Sequence, residues 1–102
     1  MSETLFQPIE KTLEIEYRGQ KLTIKIRELT ASEYLKAQDK AIKKILPDGS
    51  VDLDRNSYLL ELVSMSIVEA PFPTDVESLK KLPASLFNTI LYKVLEINPL
   101  SS

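Results

Sequence analysis

Between residues 12 and 27 apolar and polar side chains alternate. Leu13, Ile15 and Tyr17 interleave with Thr12, Glu14 and Glu16, and Leu22, Ile24 and Ile26 with Thr23, Lys25 and Arg27. A period of two predicts a pair of half-buried strands. A two-residue Gly19-Gln20 loop sets Tyr17 against Leu22, Ile15 against Ile24 and Leu13 against Ile26, with all six on one face. Glycine at the first loop position suits a type II′ turn. On the other face Glu14 meets Lys25, a favourable cross-strand pair. Residues 1–10 form a lead-in whose Pro8 argues against a central strand.

From residue 30 the period lengthens. Thr30-Ala31-Ser32-Glu33 reads as a capping box, and Tyr34, Leu35, Gln38, Ala41, Ile42, Ile45 and Leu46 follow at helical spacing. The predicted helix stops before Pro47-Asp48-Gly49-Ser50. A second helix starts at Asp52 or Asp54 and runs to about Ala70. Its Tyr58, Leu59, Leu60, Leu62, Val63, Met65, Ile67 and Val68 surround nearly the whole axis. Pro71-Phe72-Pro73 ends it. A second capping box, Thr74-Asp75-Val76-Glu77, opens a short helix carrying Val76, Leu79 and Leu82. Pro83 suits the first turn of a last helix, in which Leu86, Phe87, Ile90, Leu91, Val94, Leu95 and Ile97 spread over about 180°. That helix ends near Asn98-Pro99. The expected fold class is α+β: an N-terminal two-stranded β-hairpin followed by three or four α-helices. Residues 1–102 form a single domain, with the lead-in at 1–10, the hairpin at 12–27 and the helical part at 30–98.

Composition narrows the chemistry. The 102 residues include no cysteine and no histidine. That removes disulfides, thiolate metal sites, thiol nucleophiles and every Ser-His or Cys-His arrangement. The N-terminus Met1-Ser2-Glu3-Thr4 lacks the basic and apolar regions of an export signal, and no apolar run is long enough for a membrane span. A cytoplasmic protein is expected, with no membrane partner. The net charge is −2 and the pI about 5.2. Lys36, Lys40, Lys43 and Lys44, with Asp39 among them, read as the solvated side of a helix, so no nucleic-acid partner is expected.

Three candidate constellations fail on inspection. Residues 48–54 resemble a calcium loop, but placing Gly49 at its sixth position puts Lys44 and Leu46 where carboxylates belong and Arg55 where the bidentate glutamate should be. Glu14 and Glu16 lie close together, but on the solvated face of the hairpin, away from the apolar set, where nothing holds them for acid–base work. The two glycines are too far apart for a phosphate loop. No catalytic residue, metal ligand or cofactor is therefore assigned. What remains is surplus apolar arc. A two-stranded sheet has one apolar face to offer, so some of Leu60, Met65, Ile67, Val68, Leu91 and Leu95 should reach the surface and bind a partner.

The order of features is similar to the tail assembly chaperones of long-tailed bacteriophages. An alternating hairpin runs into IRELTASEYLKAQ (residues 26–38), a polar turn follows, then YLLELVSMSIVEAP (58–71) and LKKLPASLFNTILYKVLEIN (79–98). Arg27, Thr30, Leu82-Pro83 and Asn98 stand where that family shows an Arg before a Thr-initiated helix, a late Leu-Pro and a terminal Asn. The resemblance implies a non-catalytic protein of the infected bacterium's cytoplasm, absent from the mature virion. It would bind the tape measure protein and keep it soluble until the tail tube protein polymerises around it. Self-association along the client would fit that task, and this chain would be the short form where a frameshift yields two lengths. The alternatives are a head–tail completion protein of the virion and a small adaptor that binds a host protein.

Overall fold

The computed structural model describes residues 6–99, so the lead-in's residues 1–5 lie outside the described part. The fold is α+β, and its N-terminal half-buried strands are those the alternation predicts. Strands β1 (Glu10–Tyr17) and β2 (Gln20–Arg27) form an antiparallel hairpin. Its register differs from the expected one: Tyr17 faces Gln20, Ile15 faces Leu22 and Leu13 faces Ile24. The turn is Arg18-Gly19, both at positive φ (52° and 79°). Positive φ at both central positions is the type I′ geometry, whose twist matches that of the flanking strands. Moving the turn back by one residue shifts each partner by two, so the face assignment survives while the predicted Glu14–Lys25 pair does not. Glu14 sits opposite Thr23 and pairs diagonally with Lys21 at 3.4 Å, while Lys25 reaches Glu10 at 3.2 Å.

Helix α1 (Ala31–Ala41) begins with the expected capping box: the Glu33 amide donates to the Thr30 hydroxyl, and the Thr30 amide donates to the Glu33 carboxylate. It ends five residues before the expected Leu46. The chain then forms a second hairpin, β3 (Ile42–Ile45) with β4 (Val51–Leu53), around Asp48-Gly49, with Gly49 at φ 90°. The cause is local: β-branched residues flanking an Asp-Gly turn favour strands over a helical last turn. Lys43 and Lys44 therefore belong to a strand and not to the lysine-bearing helix face. In the turn, the Asp48 carboxylate accepts from the Ser50 amide and hydroxyl, a local use of a residue from the rejected calcium loop.

Helix α2 (Arg55–Ser66) is capped by Asp54, whose carboxylate accepts from the amides of Asn56 and Ser57. It ends four residues short of the expected Ala70. Ile67 and Val68, expected in the helix, belong to β5 (Ile67–Glu69), which pairs with β2 to give a three-stranded sheet of order β1-β2-β5. The two-stranded sheet of the sequence reading is thus corrected. The open edge of β2 offers hydrogen bonds that β-branched Ile67 and Val68 can take up as a strand. Helix α3 (Val76–Leu79) is capped by Asp75 and not by Thr74, and Leu82 lies beyond it. Pro83 stands at the N-cap of α4 (Ala84–Ile97), one position before the expected first turn, and Asn98 closes that helix.

The core has two parts. Leu13, Ile15, Ile24 and Ile26 of the sheet pack with Val63, Ile67, Leu79, Leu86, Ile90 and Val94. Ala37, Ala41, Tyr58 and Leu62 form the second cluster between α1 and α2. Helix α2 serves both, which explains why it is apolar nearly all round. Each fully buried Ile or Leu here contributes roughly 1.5–3 kcal/mol.

A polar node ties these layers together. The Arg27 guanidinium donates two bonds to the Glu33 carboxylate, at 2.7 and 2.6 Å. That pairing, with the Thr30 amide, holds the Glu33 pKa down at about 2. A carboxyl whose folded pKa is depressed stabilises the fold above its unfolded pKa and loses that contribution as pH falls through the folded value. Urea melts should therefore show wild type more stable than Glu33→Gln above about pH 5, with the gap closing by about pH 2. A gap independent of pH would contradict the ion-pair assignment.

Candidate binding groove

A largely apolar concavity lies between α2 and α4. It has a volume of about 340 Å³ and is lined by Leu59 and Leu60 of α2, Phe87 and Leu91 of α4, and Leu79 and Leu82 from the α3 region. Asn56, Lys80 and Asn88 supply polar groups at its margin. Next to it a second depression of about 220 Å³ is lined by Asn88, Leu91, Tyr92 and Leu95. Asn88 and Leu91 belong to both, so the two run together along α4. Phe87, Leu91 and Leu95 fall four residues apart and stack into one ridge on that helix. Tyr92, 76% exposed, stands beside it.

The structure sorts the six residues nominated from the sequence. Leu60, Leu91 and Leu95 come together along this groove. They are half-buried, packing against the two core clusters from outside. Met65 packs against the α1–α2 cluster instead. Val68 is 42% exposed on β5 and lines neither depression. Ile67 is only 7% exposed, pairs with Ile26 and belongs to the core, so it offers no surface. Its nomination assumed a continuous helix through residue 70, and the strand turns it inward.

Several surface residues escaped the sequence reading. Phe87, Leu82 and Tyr92 complete the groove, and the 180° apolar arc of the last helix was the signal for the first of them. A further concavity of about 360 Å³ is bounded by Leu29, Tyr34, Leu35, Ile97 and Pro99, with Leu35 58% exposed. It forms where the start of α1 meets the end of α4, a juxtaposition that no local pattern announces.

Glu14 and Glu16 are exposed on the outer sheet face. The buried Tyr58 hydroxyl has no hydrogen-bond partner, and burial is the first cause of its raised pKa. A phenol held neutral in this way is neither a base nor a nucleophile at ordinary pH. Among the described residues no cluster of three or more acidic side chains could hold a metal ion, and no helix is long and apolar enough to cross a membrane.

Arg27, Thr30 and Asn98 meet in the polar node. Asn98 accepts from the Leu29 amide at 2.7 Å and donates to the carbonyls of Arg27 and Val94 and to the Ser66 hydroxyl. The Ser66 hydroxyl in turn donates to the Arg27 carbonyl at 2.6 Å. Arg27 and Thr30 both bond Glu33. These bonds fasten the end of β2, the start of α1 and the end of α4, and so fix the helix that bears the groove.

No family model matches the chain, and no curated protein matches it. Among solved structures it is similar to the crystal structure of the protein YqbN, a structural genomics target. The TM-score is 0.64 at 14% identity, over 90% of this chain and 87% of that one. The likeness is one of fold.

Proposed function

We propose that this protein is a non-catalytic tail assembly chaperone that holds an amphipathic helical segment of a phage tape measure protein in the α2–α4 groove. The observation that carries the reading is the continuous apolar groove, ridged by Phe87, Leu91 and Leu95 and faced by Leu59 and Leu60. A helix presenting apolar residues at i, i+4 and i+7 fits such a groove. The resemblance of residues 26–38, 58–71 and 79–98 to the chaperone family names the client. The role belongs to the cytoplasm of the bacterial host, before the tail tube protein closes around the tape measure.

The test is co-expression with the tape measure protein of the same gene cluster, followed by a pull-down and a solubility assay. The proposal predicts a soluble client that travels with this protein. An insoluble, unbound client would overturn it. Retention of the chain in purified particles would mark a head–tail completion protein instead, and recovery of a host protein without tail proteins would mark an adaptor.

A further inference from the structure

We infer that the helix held in the α2–α4 groove carries one carboxylate, Asp or Glu, within its apolar stripe, and that Asn88, Asn56 and Lys80 select for it. The inference deepens the chaperone reading and rests on it for the identity of the client. The larger depression of the groove is apolar apart from three side chains, and Lys80 is the single charged residue lining it. The other two are carboxamides, one on each wall: Asn56 in the first turn of α2 and Asn88 on α4, both exposed. The ammonium and the two amide groups all offer hydrogen-bond donors, and no lining residue supplies a carboxylate to meet them. The depression is therefore complementary to negative charge. Lys80 does meet Glu77 at 3.1 Å, but both side chains are largely exposed. An exposed pair of that kind is weak and leaves the ammonium further donors.

The place of Asn88 turns complementarity into selection. Ala84, Asn88, Leu91 and Leu95 are spaced four, three and four residues apart, the spacing of a seam along which a second helix packs. That seam is apolar except at Asn88, which both depressions share. Leucine there would favour any apolar helix, whereas asparagine favours one that brings a partner for its amide. A wholly apolar stripe closes over Asn88 and takes its water away without replacing the lost hydrogen bonds, which is unfavourable. A carboxylate opposite accepts from the amide and from the Lys80 ammonium, and charge-assisted bonds of this kind are the stronger ones. A polar group at one position of an apolar seam also fixes the register of the helix that packs on it. Asn56, Lys80 and Ala84 line only the larger depression, so the carboxylate belongs in the half of the groove nearer the start of α4.

The test uses three synthetic amphipathic peptides of about 20 residues, long enough to form a helix. They are identical except at the central position of the apolar stripe, which is Glu, Gln or Leu. Fluorescence anisotropy with the full chain should show the Glu peptide binding about tenfold more tightly than the Leu peptide, against the order of their hydrophobicity. Lys80→Glu should abolish the advantage of Glu over Gln. Asn88→Leu should reverse the order, so that the Leu peptide binds best. Both positions are exposed, and circular dichroism checks that each variant stays folded. Three results would overturn the inference: wild type binding the Leu peptide at least as tightly as the Glu peptide, a Glu preference that survives both substitutions, or no binding of any peptide. The tape measure pull-down answers separately. A captured client with no peptide preference defeats this inference alone, whereas a Glu preference with no captured client defeats only the naming of the client.

Discussion

Asn98→Ala is expected to lower the melting temperature by about 10–20 °C, although it removes only a side-chain amide. The amide is 6% exposed and bonded to Leu29, Arg27, Ser66 and Val94. Alanine leaves the Leu29 amide and the Arg27 carbonyl short of a partner where water has poor access. Leaving such groups unsatisfied costs about 2–3 kcal/mol, and a domain of this size loses about 4–8 °C for each kcal/mol. Asn88→Ala, the same replacement on an exposed turn of the same helix, should change stability by less than about 0.5 kcal/mol. Thermal melts of the two variants check the difference. Equal, small shifts would show that the node is not a structural lock.

The second large effect separates two neighbouring residues of α4. Ile90 is fully buried against the sheet, while Leu91 lines the groove. Ile90→Asp places an unpaired charge in the core, at a cost comparable to the whole stability of a small domain, about 5 kcal/mol or more, and should unfold the chain. Leu91→Asp lets the carboxylate turn into the open groove and loses about 1–2 kcal/mol of apolar contact. That variant should keep its circular dichroism spectrum while losing the client in a pull-down. Leu60→Asp should behave in the same way from the opposite wall. If Leu91→Asp unfolds as completely as Ile90→Asp, the groove wall is core; if it binds as wild type does, the client sits elsewhere.

What the sequence revealed was local. The alternation of residues 13–26 marked the hairpin, and Thr30 with Glu33 marked the start of α1, because both signals lie within a few residues of each other. The same logic misled where an apolar run was short. Ile42-Lys43-Lys44-Ile45 and Ile67-Val68-Glu69 continue a helical period as readily as they form strands. Their state is decided by partners: an Asp-Gly turn for the first and the open edge of β2 for the second. The Leu29–Asn98 bond joins residues 69 apart in sequence, so no pattern could announce it. The groove was half legible. Leu60, Leu91 and Leu95 emerged from counting surplus apolar arc, whereas Ile67 entered that count only because its strand was read as helix.

The most direct test of the central claim is an NMR titration of the labelled protein with a helical segment of the tape measure protein. The account predicts amide shifts concentrated on α2 and α4, around Leu59, Leu60, Phe87, Leu91 and Leu95, with the outer sheet face unchanged. No binding, or shifts centred on Leu29, Tyr34 and Leu35 instead, would contradict the assignment of the α2–α4 groove.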